Sequence, residues 1–195
     1  LAVLGVWPAV EAEAQPVARI RIEDARPGQR DAPALLHFDH AELDDPGASR
    51  ILEDRFLRNA LLAATLAHPR IETRAPVSVA ETRETPAVAE AVTEAGEVLR
   101  ASVLIACDGR ESPIARRAGI RRVSWGYDQT GLVSAVSFPR DHEGVARQRF
   151  LPGGPFAVLP LPGRRASLVW TERTPEATRI AAMDDAAHLR EVEAR

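Results

Sequence analysis

The 195-residue chain contains no lysine, so its 25 basic residues are all arginine. Alanine is abundant, and this bias reads as genome composition rather than mechanism. A single cysteine, Cys107, excludes an internal disulfide and a multi-cysteine metal site. No basic excess is present: the net charge of -3 gives no reason to expect nucleic acid. The paired arginines at 116–117, 121–122 and 164–165 are expected on solvated faces. No apolar run approaches a membrane span. The opening "LAVLGVWPAV" lacks a basic leader and is interrupted by Pro8, so it is no signal peptide. Ser-His-Asp, HExxH, GxSxG and Walker-type signatures are missing, as are repeats and low-complexity tracts. The chain also starts without an initiator methionine, which reads as a fragment.

An apolar share of 45% and a charged share of 27% are those of an ordinary globular protein, long enough for one substantial core or two small domains. Residues 1–14 read as a helix tail broken at Pro8. "PVARIRIED" alternates like a strand, with "ALLHFDHAEL" as its antiparallel partner after the turn "ARPGQRDAP". His37 and His40 bracket Asp39, but in a strand 37 and 39 share one face and 40 the other, so solvated residues are expected rather than a metal site. The clearest helix spans about residues 50–68, with Leu57, Leu61 and Ala64 at helical spacing. Asp54 lies on that stripe near the helix start, where it can face the helix dipole or pair with Arg58.

Short strands follow at "RIET", "VSVAE" and "AVAEAV", and "TEAGE" turns the chain. From 121 onward "GLVSAVSF", "VARQRFL", "FAVLPL" and "ASLVWTE" are four strands between Gly- and Pro-bearing turns, the pattern of an antiparallel sheet. His142 and Glu143 fall in an exposed turn between them. From Pro175 the chain reads as polar helix.

Chemistry concentrates in "LIACDGRESPIARRAGI", Leu104–Ile120. Val103, Leu104, Ile105 and Ala106 are apolar without alternation, the texture of a strand buried on both faces. Cys107 beside it is expected in the core. Asp108-Gly109 would signal a hairpin, but no strand follows. Ser112 can cap a helix, Pro113 suits its first position, and Gly119 can end it. The unit is strand, loop, helix. Such a loop can bind an anion such as a pyrophosphate, with Gly109 allowing close backbone approach and Arg110 adding a charged contact; an ordinary connection is the alternative.

That segment resembles the Asp-Gly motif of the FAD-dependent aromatic hydroxylases with the para-hydroxybenzoate hydroxylase fold. "LGVWPAVEAEAQPVARIRI", "ILEDRFLRNALL", "YDQTGLVSAV", "HEGVARQRFLPGGPFAVLPL" and "SLVWTE" resemble, in family order, the ubiquinone-biosynthesis hydroxylases, specifically the 2-octaprenyl-6-methoxyphenol hydroxylase branch. The resemblance implies a monooxygenase in which NAD(P)H reduces FAD, O2 adds to form a flavin C4a-hydroperoxide, and one oxygen passes to a polyprenyl phenol ring. It implies FAD contacts at Asp108, Gly109, Arg110, Asp54 and Val77, and a substrate side at Gly154, Pro155 and Phe156, continued by strands 157–161 and 167–170. Core packing remains the alternative for Tyr127, Phe156 and Trp170. No residue is assigned as catalytic, and no metal is expected.

The expected fold is mixed α/β: a partial FAD-binding Rossmann-like layer with an antiparallel substrate sheet. By segment this gives a helix tail at 1–14, the first part of the substrate sheet at 15–48, and a partial FAD-binding domain with a small β excursion at 49–120. The main substrate sheet follows at 121–174 and a helical end at 175–195. The family's GxGxxG strand and later Gly-Asp motif are absent, so the isolated polypeptide is expected to bind FAD poorly and to be inactive. A cytoplasmic location follows, with peripheral inner-membrane contact through a lipid-tailed substrate and association with a ubiquinone-biosynthesis complex. The alternatives are a non-catalytic remnant or interaction module, or a related hydroxylase acting on another aromatic.

Overall fold

The computed structural model describes residues 1–29, 32–42 and 49–195. In chain order they form α1 (Trp7–Val10), β1 (Gln15–Pro16), β2 (Arg19–Asp24), β3 (Ala34–Asp39), β4 (Arg50–Ile51) and α2 (Asp54–Ala67). Then come β5 (Val79–Glu84), β6 (Ala89–Thr93), β7 (Val98–Ala101), α3 (Pro113–Arg117), β8 (Gln129–Ser137) and β9 (Val145–Leu151). The last elements are β10 (Gly154–Leu161), β11 (Arg165–Arg173), α4 (Thr174–Ala181) and α5 (Asp185–Glu193). They divide into two compact units, one of Leu1–Ala67 with Tyr127–Arg195 and one of His68–Gly126.

The first unit is built on a six-stranded sheet in the order β3-β2-β9-β10-β11-β8. All its pairs are antiparallel except β2 with β9, which run parallel. The hairpin β10–β11 pairs Phe156 with Trp170 and turns at Gly163, whose φ of +77° favours glycine. β8–β11 and the β2–β3 pair follow the sequence expectation, because each strand is a short run rich in apolar residues bounded by turn residues. The tip of the β2–β3 connection, 30–31, and the stretch 43–48 lie outside the described residues.

Several local expectations give way. Pro8 sits in the first turn of α1, where its missing N–H costs nothing, so it starts this helix rather than breaking one. The helix expected from 50 begins at Asp54, because Arg50 and Ile51 pair with Pro16 and Gln15 as a two-stranded ribbon. His40 is buried, with its backbone N–H donating to the Ala18 carbonyl 3.0 Å away, and is not solvated. His142 is also largely enclosed: its Nε2 lies 2.8 Å from the Leu161 carbonyl and its Nδ1 accepts from the Gly144 N–H. The ring pins the β8–β9 turn to the end of β10. Glu143 stays exposed, at a φ of +54°. The single C-terminal helix divides into α4 and α5, with Asp184 capping the second through the Ala187 N–H at 2.7 Å.

The second unit contains a three-stranded meander, β5-β6-β7, with Gly96 at φ +83° in the β6–β7 turn. "RIET" forms no strand. Most consequential is the stretch after β7. The apolar run expected as a strand buried on both faces is neither paired nor buried, with Val103 68% and Ile105 78% exposed. Cys107 is exposed rather than in a core. Burial on two faces needs neighbouring strands and covering helices, and none packs there among the described residues.

Candidate functional site

The Asp-Gly loop owes its shape to side chains reaching forward into α3. Asp108 Oδ1 accepts from Ser112 Oγ at 2.5 Å, and Oδ2 accepts from the Ile114 N–H at 3.2 Å. Ser112 Oγ in turn accepts from the Ala115 N–H at 2.9 Å. Pro113 and Gly119, at φ +71°, start and stop the helix in the positions the sequence indicates. The Ser112 hydroxyl holds the Asp108 carboxyl below the ordinary carboxylate range, against the opposing effect of desolvation. Asp108 is thus committed to bracing the loop. What faces outward is Gly109, at φ +88° with nothing within 4 Å of a would-be Cβ, and Arg110, whose side chain is 89% exposed. Further along the segment a groove of about 430 Å³ is lined by Glu111, Ser112, Arg116, Arg121 and Arg122 among others.

The second feature is the large sheet, whose two faces differ. One residue row runs across it as Leu132, Trp170, Phe156, Arg149 and Glu23. Phe156 and Trp170 are 4% and 1% exposed and meet edge to face, with centroids 5.6 Å apart. Ile180 of α4 and Val192 of α5 pack over them. Arg149 donates to Glu23 at 2.8 Å, so the two charges in this row are paired.

One residue along each strand, alternation turns the side chains to the opposite face. There the row reads Val133, Val169, Ala157, Gln148, Ile22 and Leu36, crossing all six strands. Among the described residues no helix seals its two ends, where Val133 is 74% and Leu36 54% exposed. Ser167, paired with Leu159, and Thr171 share this face. The row carries no ionised group, so it offers a planar apolar platform with one neutral hydrogen-bonding amide. At one end Arg165 is engaged by Glu53 at 3.2 Å, and the arginine holds that carboxyl below its ordinary range.

Of the residues singled out in the sequence, Asp108, Gly109 and Arg110 form one loop in the second unit. Val77 belongs to the same unit, precedes β5 and is 47% exposed. Asp54 belongs to the first unit, at the start of α2; it is exposed and forms no ion pair with Arg58 among the described residues. Gly154 opens β10 at φ +147°, where a Cβ would lie 2.7 Å from the Thr171 carbonyl. Pro155 follows on the open face, and Phe156 turns into the core. Val169 lies in the stretch 167–170 already assigned to the substrate side, whereas Gln148 and Val133 escape sequence reasoning. Their signal is the strand register, which places Gln148 opposite Ala157 and Val133 opposite Val169 in the same row.

The chain is a mixed α/β protein whose sheets match part of the FAD-monooxygenase fold. Over 95% of this chain and 51% of the other it superposes on PqsL, a probable FAD-dependent monooxygenase from Pseudomonas aeruginosa, with a TM-score of 0.79 and 21% identity. For Klebsiella pneumoniae R204Q HpxO complexed with FAD the TM-score is 0.69 at 17% identity, over 92% of this chain and 48% of that one.

Sequence narrows the relationship. The chain is 37% identical over 171 residues, 88% of its length, to the ubiquinone hydroxylase UbiL of Rhodospirillum rubrum. It is 35% identical over 168 residues, 86% of its length, to the 3-demethoxyubiquinol 3-hydroxylase of Escherichia coli. It is therefore homologous to ubiquinone-biosynthesis ring hydroxylases over the shared part. That part amounts to 38% of the first relative and 41% of the second. No family model matches the chain. Among the described residues no helix is long and apolar enough to cross a membrane, and no cluster of metal-binding side chains occurs.

Proposed function

We propose that the chain is part of an FAD-dependent, NAD(P)H-using monooxygenase that hydroxylates a polyprenyl phenol ring in ubiquinone biosynthesis, in the 2-octaprenyl-6-methoxyphenol hydroxylase branch. The observation that carries this reading is 37% identity to a ubiquinone hydroxylase over 88% of the chain. When bound, FAD supplies the redox and oxygen chemistry, with NAD(P)H and O2 as co-substrates. The loop residues fit its anionic part at the open Cβ side of Gly109 and at the exposed Arg110 guanidinium. Asp108 holds that loop in shape, and Asp54 and Val77 are assigned as further contacts. The platform around Ala157, Gln148 and Val169, entered past Pro155, receives the ring. In this reading 49–120 is the nucleotide side, while 15–48 and 121–174 form the substrate sheet. The enzyme works in the cytoplasm beside the inner membrane, within a ubiquinone-biosynthesis complex.

Deleting the gene that encodes this chain should deplete ubiquinone and accumulate an under-hydroxylated polyprenyl phenol, measured by mass spectrometry of lipid extracts. Unchanged quinone content would refute the pathway assignment. Because the chain spans about two fifths of its relatives, the 195-residue polypeptide by itself should leave a desalting column colourless after incubation with FAD. A yellow sample with stoichiometric flavin would contradict that expectation.

A further inference from the structure

We infer that the covered face of the large sheet carries a separate site, an arginine-walled cavity that takes a small molecule bearing a phosphate or carboxylate group. The strand register builds it. Arg21 of β2 and Arg147 of β9 are direct partners across the parallel pair, with His37 on one flank and Val158, then Leu168, on the other. No carboxylate stands in that row. Two guanidinium groups side by side on neighbouring strands repel each other unless an anion offsets them.

The nearest acid in the sheet is Glu23, one row over, and both of its oxygens are committed. Oε2 accepts from Arg149 Nε at 2.8 Å, and Oε1 lies 2.6 Å from Arg21 Nε, a charge contact that forms no hydrogen bond. Arg147 has neither a hydrogen bond nor an ion pair among the described residues. Arg195 differs, because Glu172 and Glu191 balance it and leave it as a wall. Ile180 and Val192 seal the face over Phe156 and Trp170, but the cover stops short of Arg147, which is exposed. There a cavity of about 350 Å³ opens between the four arginines, with Phe156 and Val158 as its apolar floor. Its size is that of a small-molecule site rather than of a bare ion. Guanidinium groups supply the forked donors that phosphate and carboxylate oxygens accept. Alternation puts the cavity on the opposite face from the Ala157 platform, so the two sites are distinct. The inference goes beyond the hydroxylase reading and does not depend on it.

Phenyl phosphate and benzoate are titrated into the chain by calorimetry, with modification of arginines by phenylglyoxal as a second readout. The expected result is a single site with a Kd of about 1 mM or below for at least one probe, and slower modification of Arg147 when that probe is bound. Arg147→Gln should weaken binding at least about tenfold, the loss of a charge-assisted hydrogen bond. Its melting temperature should match that of the unaltered chain, because the side chain is exposed and holds no partner among the described residues. Arg110→Gln in the Asp108-Gly109 loop and Arg58→Gln on α2 should bind as the unaltered chain does. Whichever probe binds more tightly identifies the oxyanion. Binding of neither probe, or binding that survives Arg147→Gln, overturns the inference. Binding lost in Arg110→Gln overturns it too, because the anion then belongs to the nucleotide-side loop.

Discussion

Gly154 shows how a single residue couples the covered and open faces of the large sheet. Its φ of +147° and the 2.7 Å approach to the Thr171 carbonyl leave no room for a methyl group. The β10–β11 hairpin holds that approach in register through Phe156 and Trp170. Gly154→Ala should therefore lower unfolding stability by about 1–3 kcal/mol in urea titrations, through backbone strain and overpacking. Val133→Ala, on the open face at 74% exposure, should stay within about 0.5 kcal/mol. The motif "GGPFAVLPL" is apolar at both parities, so its sequence does not tell Pro155 from Phe156. The phase comes from Trp170 across the hairpin, which draws Phe156 inward. Phe156→Ala should cost about 3–5 kcal/mol, and a loss of under about 1 kcal/mol would contradict its place beneath α4.

Elements with strong local signals match their sequence reading: the four turn-bounded strands β8–β11, and α3 with its Ser112 cap. The helical end was legible as helix, and Asp184 marks where it divides, because a side chain capping the Ala187 N–H starts α5. What binds the two helices is an arginine bridge. Arg179 on α4 donates to Glu176 at 2.6 Å and to Glu191 on α5 at 2.9 Å. Hydrogen bonding from Arg179 is the main cause that holds both carboxyls below their ordinary value of 4.5, with Arg195 adding to the effect on Glu191. Because the folded values are depressed, this stabilisation is present above about pH 4.5 and is lost as pH falls through the folded values. Amide exchange in α5 should accelerate on acidification in that range, and Glu191→Gln should flatten the dependence. The α3 cap makes a parallel case. Ser112→Ala should raise the Asp108 pKa toward its ordinary value, followed by carboxyl NMR shifts, and lose about 1 kcal/mol of local capping.

Across the whole molecule, burial is unevenly shared. The first unit owns the core of Trp170, Phe156, Leu168 and Ile180, whereas the second buries only Ala91 and Thr93. Run by run, the sequence reads 103–107 as buried, because its composition is that of a sheet interior; which segments cover it is information carried by other residues. That is why the loop at Asp108 was legible and its surroundings were not. A unit with so little buried apolar surface opens locally at small cost. Since the chain has no lysine, trypsin reports that opening through arginines alone. Brief digestion should cut first after Arg110, Arg116, Arg117, Arg121 or Arg122, all in the second unit. Arg147, Arg149 and Arg165, held in β9 and β11, should resist until the large sheet unfolds. Mass spectrometry of the first fragments decides it: early cuts within β9–β11 would mean that the sheet, not the small unit, is the weaker part. Arg149 carries the sharpest contrast, because cleavage there requires breaking its bond to the buried Glu23, while Arg110 is reached without disturbing any core contact.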